Sequence, residues 1–352
     1  MKNRKTIALV LAFIGVVMTI AGPFLPGGTH LVENDPPRVG HVTDLISDGA
    51  GSVYAGTQAG EIWHLSQGVW QPVQLDLGGH PVTAMLTEPG PKPVGTAAGL
   101  FALPPGTPPL TGRVSSLLET DGGLLVGTGN GLRLLADGTW QQPEADGNIY
   151  SLFAQRRGSE HWLHAGTIGA GALYALGSAP GGGWSPNNSG LPDGVNVFSF
   201  AATEGGLLLA GTDDGLYWQS EPGRDWTALS SALAGRRILS LYRQPTETPD
   251  EPQRLWIGSD DGLHWLDLVE DGADLTVQGE LIAADDPAHQ PRFGVSWIVP
   301  TDGGVMISAG HVYAFGATRV PGWYWVSLAG IALILAAGWI MPRPQPTAAS
   351  VG

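Results

Sequence analysis

The chain has no cysteine among its 352 residues. That excludes disulfides, thiolate nucleophiles and cysteine metal sites together. It is also short of positive charge, with 17 Lys and Arg against 32 Asp and Glu and a formal net charge of −15. The shortage is uneven. Lys2, Arg4 and Lys5 stand at the N-terminus and Arg343 near the C-terminus, so the stretch between about residues 30 and 320 holds 13 basic and all 32 acidic residues, a net −19. An acidic body repels phosphate backbones, so no nucleic-acid partner is expected. The chain also carries no His-Glu-x-x-His, no Gly-x-Ser-x-Gly elbow and no phosphate-binding loop. No catalytic, cofactor or metal residues are assigned, and the chain reads as a non-enzyme.

What the chain has in quantity is glycine, 53 residues, with 28 prolines. The glycines recur at fixed places, which points to many tight turns rather than disorder. The clearest unit is Leu124-Leu-Val-Gly-Thr-Gly-Asn-Gly-Leu-Arg-Leu-Leu135: a buried strand, a turn and a second strand. The same plan places Gly56-Thr57, Gly95-Thr96, Gly127-Thr128, Gly211-Thr212 and Gly258-Ser259 at equivalent blade turns, with looser copies at Gly166-Thr167 and Ser308-Ala-Gly310. An opening strand recurs as Val42-Thr-Asp-Leu, Val82-Thr-Ala-Met, Val114-Ser-Ser-Leu, Ile149-Tyr-Ser-Leu, Val197-Phe-Ser-Phe, Ile238-Leu-Ser-Leu and Val295-Ser-Trp-Ile. Its central small residue suits strands converging on a crowded axis. Asn130-Gly131, Asp214-Gly215 and Asp261-Gly262 supply the positive φ of tight hairpins. Trp70, Trp140, Trp184 and Trp226 each follow a turn and head an outer strand, where an indole would cover the seam to the next unit.

Seven copies at a period of about 32 to 51 residues, four short strands each, predict an all-β, seven-bladed β-propeller of four-stranded antiparallel blades over residues 40–318. The ring must close, and a fourth strand for the last blade could come from around Thr29 to Arg38, although Asp35-Pro-Pro37 is a poor strand. Residues 27–39 otherwise read as a Pro- and Gly-rich linker.

Hydrophobic segments flank the repeats. Residues 1–26 read as a signal peptide or, preferentially, a retained anchor, because Pro23 follows the candidate cleavage site. Residues 322–341 are uncharged and span about 30 Å as helix. Trp323, Tyr324 and Trp325 mark one interface and Trp339 the other. Gly330 and Gly338 offer a close helix contact. Residues 342–352 read as a disordered tail. The membrane is thus an expected partner, with the propeller extracytoplasmic.

Gly-Thr-x-x-Gly-Leu with a late Trp resembles two bacterial propeller families: the two-component-regulator propeller, an extracytoplasmic sensor module, and the sialidase-like, BNR-type repeat family that includes photosystem II assembly-factor-like and sortilin-like proteins. Gly182-Gly-Trp-Ser-Pro-Asn-Asn-Ser-Gly-Leu-Pro192 is similar to the latter. The Asp-box of that family, Ser-x-Asp-x-Gly-x-Thr-Trp, is degenerate here, since Ser220 to Trp226 is one residue shorter and has Pro222 at the Asp position. No kinase or DNA-binding domain follows Met341.

Other features have two readings. Asp213-Asp214 and Asp260-Asp261 are calcium ligands or hairpin formers. His161 and His164 would point to opposite faces of a strand. Arg156-Arg157 and Arg236-Arg237 bind an anion or offset acidic surface. Asn187-Asn-Ser189 matches a glycosylation sequon. Arg113, Arg133, Arg243 and Glu119 are scattered singly and assemble no sialidase-like cluster. Gln244 to Arg254 and Glu280 to Phe293 are long enough to be contact loops. The expectation is a membrane-tethered, non-catalytic binding or scaffold module with a protein partner. A ligand-sensing ectodomain is the alternative, and a sialidase-like hydrolase or lyase comes last.

Overall fold

The computed structural model describes residues 2–341 apart from 25, 38, 50, 87–92, 178–179, 247, 249–250, 282–290, 292, 302–303 and 320–322. The tail at 342–352 and most of the Glu280–Phe293 loop lie outside the described residues. The chain forms two compact units, Met1–His30 with Gly316–Gly352, and Leu31–Phe315.

In the first unit, helices α1 (Lys2–Ala21) and α2 (Trp323–Ile340) pack side by side. Both are long and apolar enough to cross a membrane. Within a membrane, two helices that are apolar all round would gain little from burying one apolar face, and close packing of small residues would hold them together. A Cβ on Gly330 would lie 2.5 Å from the Gly15 carbonyl oxygen, and one on Gly15 2.6 Å from that of Gly330. One turn on, Ser327 Oγ donates to the Thr19 carbonyl at 3.2 Å. Gly330 therefore makes the expected close contact within the chain, while a Cβ on Gly338 would meet nothing within 4 Å.

In the second unit, the described strands form seven sheets, the blades of a propeller. Blade 1 is a four-stranded meander of Val42–Ser47, Val53–Thr57, Ile62–Ser66 and Val69–Val73. Blade 2 shows three strands, Val82–Ala84, Val94–Thr96 and Leu100–Phe101, with a single bridge from Gly99 to Thr111. Blades 3 to 6 are four-stranded and open with Val114–Thr120, Asn148–Arg157, Val197–Ala202 and Ile238–Arg243. Blade 7 takes Trp297–Thr301, Gly304–Ala309 and His311–Arg319, and its outer strand is the N-terminal Pro26–Glu33.

The last point corrects the reading of residues 27–39 as a tether. The strand stops at Glu33, before the prolines, and Asn34 and Asp35 then fasten the ring. The Asn34 N–H donates to the Val312 carbonyl, and Asp35 accepts from the Val312 N–H and pairs with His311 Nδ1, both at 2.6 Å.

The buried clusters lie between blades. Leu209 and Ala201 of blade 5 pack with Ile238, Leu255 and Leu266 of blade 6, and Leu45 and Ala55 of blade 1 with Val299, Met306 and Val312 of blade 7. At six seams, the β-branched residue that opens an inner strand sits on the glycine of the preceding blade's Gly-Thr or Gly-Ser. Cβ atoms built on Gly56, Gly95, Gly127, Gly166, Gly211 and Gly258 would meet Val82, Val114, Ile149, Val197, Ile238 and Val295. A hydroxyl belongs to this seam. The central Ser240 donates from Oγ to the Val295 carbonyl at 3.0 Å, and in blades 1 and 2 the residue one position earlier does so, Thr43 to Val82 and Thr83 to Val114.

The Thr of each Gly-Thr explains the rest of the motif. Thr96, Thr128 and Thr212 are buried and donate to the carbonyls of Gly99, Gly131 and Gly215 across the hairpin, while accepting an N–H from the turn. Gly131 and Gly215 have φ of +92° and +121°, which L side chains rarely adopt.

Gly258 gives a direct test of the seam. A Cβ there would lie 2.2 Å from Ser240 Oγ and 2.4 Å from the Val295 backbone oxygen, which cannot retreat without moving a strand. Gly258→Ala is expected to destabilise by about 1–3 kcal/mol, whereas Gly129→Ala, which meets nothing within 4 Å, stays within about 0.5 kcal/mol. Urea unfolding midpoints compare them, and equal midpoints would refute the seam argument.

Candidate functional site

The inner strands surround a central channel, a cavity of about 740 Å³. Its lining follows from one repeated irregularity. In blades 1 to 6 the inner strand's pairing skips one residue just after the β-branched opener. The skipped residues are Thr43, Thr83, Ser115, Tyr150, Phe198 and Leu239, and all of them line the cavity. A β-bulge releases a residue from the ladder and re-aims its side chain. Ser296 lines the cavity from blade 7.

The ring is two-sided. Blades 7, 1, 2 and 3 contribute hydroxyls, and blades 4, 5 and 6 contribute Tyr150, Phe198 and Leu239. Tyr150 and Phe198 meet edge to face with ring centroids 5.5 Å apart. Asp44, Arg113 and His41 also line the cavity.

Asp44 occupies the position after the bulge, where blades 3 to 6 carry Ser116, Ser151, Ser199 and Ser240, blade 2 Ala84 and blade 7 Trp297. It is 1% exposed. Its Oδ1 accepts the Leu45 N–H at 2.9 Å, and Oδ2 is buried with no hydrogen-bond partner. Burial pushes this carboxyl up from 3.8 to about 7, against the Leu45 and Met85 backbone N–H groups that favour its ionised form. Burial also raises the Tyr150 phenol. Arg113 lowers it and Asp44 raises it, so both charges act on this one ring.

Of the blade-turn glycines and threonines and the four seam tryptophans singled out by the sequence pattern, Gly310 of the looser copy lines this cavity and the others do not. Glycines and threonines build turns and seams. The indole N–H of Trp70 donates to the Asn34 carbonyl, that of Trp140 to Pro108, that of Trp184 to Pro180 and that of Trp226 to Asn187. Trp184 packs with Leu132 and Ile149, and Trp226 with Ala172. These four cover the seam to the preceding blade, not the following one. The indole N–H groups of Trp70, Trp140 and Trp226 find carbonyls outside their own blade, and that of Trp184 finds Pro180 in its own loop while its ring packs back on Leu132.

The remaining candidates are structural. Asp213 accepts from the Asn196 N–H and side chain, Asp214 from the Tyr217 hydroxyl, and Asp261 from Ser259 and Arg236. His264 Nε2 lies 2.6 Å from Ser259 Oγ and 2.9 Å from Asp261, and both His264 and Ser259 are fully buried within their blade. His161 is exposed. His164 is buried against Gln155, and burial lowers it to about 3, so it stays neutral. Asn187 is 2% exposed and bonded to Gln219, Gly223 and Trp226, which leaves no room for a glycan. Arg157 pairs with Glu221 at 3.3 Å and Arg243 approaches Glu204 at 4.0 Å, while Arg133 donates to backbone carbonyls. Of the scattered arginines, Arg113 alone lines the channel. Glu33, Asp35 and His311 bring ligand atoms within 4.8 Å of one another, yet both Asp35 oxygens are occupied in closing the ring.

The buried carboxyl makes stability depend on pH. An unfolded Asp ionises near 3.8 and the folded one near 7. Between those values the folded state holds the extra proton, so its stability falls as pH rises and levels off above 7. Asp44→Asn removes this dependence. Its stability relative to wild type is expected to rise by up to about 1.4 kcal/mol per pH unit across that window. Denaturant melts at pH 5, 6, 7 and 8 measure it, and parallel curves for the two proteins would exclude a titrating Asp44.

No family model matches the chain, and no curated protein matches it in sequence. Solved structures match its fold. The extracellular domain of the one-component system BT4673 from B. thetaiotaomicron aligns with a TM-score of 0.62 at 13% identity, over 82% of this chain and 40% of that one. The extracellular domain of the hybrid two-component system BT3049 from B. thetaiotaomicron gives 0.59 at 15%, over 83% and 42%. This chain thus spans under half the length of those two. YCF48 bound to D1 peptide gives 0.54 at 14%, over 83% of this chain and 96% of that one. At these identities the likeness is one of fold, and the chain is a seven-bladed β-propeller.

Proposed function

We propose that the chain is a membrane-tethered, extracytoplasmic propeller that binds a partner or ligand at its central channel and performs no catalysis. The observation that supports this most directly is the channel ring itself. Bulges in blades 1 to 6 each present one side chain to the cavity, Thr or Ser in blades 1 to 3 and Tyr150, Phe198 and Leu239 in blades 4 to 6, with Asp44 and Arg113 in the same cavity. A concave site with an apolar side and a few placed polar groups is what a binding pocket requires. Among the described residues, the titratable side chains lining it are Asp44, Arg113, Tyr150 and His41, with no nucleophile and base in hydrogen-bond contact.

Tethering is supported by the fit of α1 against α2 through Gly15 and Gly330, which a cleaved leader would not need. Lys2, Arg4 and Lys5 place the N-terminus in the cytoplasm, and two spans then put the propeller outside. A sensing role is the second reading, favoured by the similarity to extracellular domains of signalling systems. The chain would then act through a separate membrane partner. YCF48 bound to D1 peptide shows that a propeller of this fold can hold a peptide.

Two measurements test this. Intact mass of the protein extracted from its native membrane is expected to include residues 1–24, and a mature N-terminus near Gly22 would remove the two-span tether. Affinity purification of the full-length chain in mild detergent is expected to recover a stoichiometric partner that the double variant Tyr150→Ala/Phe198→Ala loses. Turnover of a glycan substrate, or a partner retained by that variant, would count against binding at the channel.

A further inference from the structure

Arg113 is exposed at the channel, and among the described residues it makes no hydrogen bond and no ion pair. Arg157, Arg236 and Arg254 are each matched to an acid, and of the arginines without an acid partner Arg113 is the one that lines the cavity among the described residues. A guanidinium offers five N–H donors in a planar fork that fits a carboxylate bidentately. Tyr150 lies close enough for the Arg113 charge to act on its phenol, the Phe198 ring meets that of Tyr150, and Leu239 lines the same cavity. We propose that the channel binds a small carboxylate with an apolar body, Arg113 clasping the carboxylate and Tyr150, Phe198 and Leu239 covering the apolar part. The assignment rests on the reading of the channel as a binding site and names the class of ligand.

Three observations select this class. A cationic ligand would meet the exposed Arg113 first, because Asp44, the one acid lining the cavity among the described residues, is 1% exposed. A bare inorganic anion would leave the aromatic arc unused. The cavity, at about 740 Å³, falls within the range of small-molecule sites. Asp44 then modulates the site from beneath. Protonated, it leaves Arg113 and the ligand unopposed. Ionised above about pH 7, it repels the bound carboxylate through a poorly solvated interior. The other ionisable side chains lining the cavity among the described residues are His41, Arg113 and Tyr150.

The test is isothermal titration of the full-length chain in detergent with four probes: 3-phenylpropanoate, 3-phenylpropylamine, 3-phenylpropanol and inorganic phosphate. The propanoate is expected to bind, and the other three at least tenfold more weakly. Arg113→Ala, an exposed position that leaves the fold intact, should weaken it at least tenfold, and Arg113→Lys should restore part. Asp44→Asn should strengthen it several-fold at pH 8 with little change at pH 6, and His41→Gln should leave the loss of affinity between pH 7 and 8 in place. Equal binding of the amine or of phosphate would overturn the proposal, as would an unaffected Arg113→Ala. If no probe binds while Tyr150→Ala/Phe198→Ala still loses its partner, the carboxylate assignment falls and the binding module stands. If that variant keeps its partner as well, both fall.

Discussion

Six of the seven seams depend on one contact: a valine or isoleucine opening an inner strand, seated on a glycine of the blade before it. A propeller gains its stability by burying each blade's faces against its neighbours, so the blades must approach closely near the axis, where they converge. A Cβ at that glycine would meet its neighbour's side chain at 2.4 to 3.0 Å, which real carbon atoms do not tolerate. The seam hydroxyl follows from the same contact. The bulge beside the opener interrupts the ladder, and at four of these seams a Thr or Ser of the preceding blade donates to the opener's carbonyl. At the seventh seam Ser308 stands in the glycine's place and points its own hydroxyl at the Val42 carbonyl, 3.3 Å away.

The bulge separates the fold from the site. The opener and the glycine are fixed by the seam, and in blades 1 and 2 the skipped Thr43 and Thr83 also supply the seam hydroxyl, but in blades 4 to 6 the skipped residue makes no seam hydrogen bond and can vary. It is Thr, Thr, Ser, Tyr, Phe and Leu in blades 1 to 6. A repeat that is nearly uniform in its packing thus carries a ring that is strongly uneven in chemistry, which is how a symmetric scaffold acquires an asymmetric pocket.

This division also sets what the sequence makes legible. Turns and seams repeat seven times, so Gly-Thr-x-x-Gly and the Val-x-Ser strand disclose blades and their number. Closure is harder to read. Pro26–Glu33 belongs to blade 7 only through hydrogen bonds to a strand almost 300 residues away, and its Pro-Gly-Gly start reads locally as a linker. The direction in which Trp70, Trp140, Trp184 and Trp226 face is hidden because spacing gives a strand's alternation and not which neighbour lies on which side. The channel residues are hidden for the opposite reason to the seam residues, since a position whose use is to differ leaves no repeat. One signal was available. When the seven opening strands are aligned, Asp44 is the single acid at a position otherwise filled by Ser, Ala or Trp.

That exception is where fold and site pull against each other. A serine at position 44 could serve the seam as it does in blades 4 and 6, whereas a carboxylate with one oxygen unpartnered is costly to bury. The cost is not recovered in hydrogen bonding, because Oδ1 accepts the Leu45 N–H, which a neutral acceptor could also satisfy. What a carboxyl adds, and a hydroxyl cannot, is a charge that appears near neutral pH beneath a cavity lined by Arg113 and Tyr150. Local instability of this kind persists in folded proteins chiefly where a site uses it. Asp44 therefore belongs with the channel, although its backbone belongs to the seam, and the electrostatics of the pocket are set from inside the wall rather than from its surface.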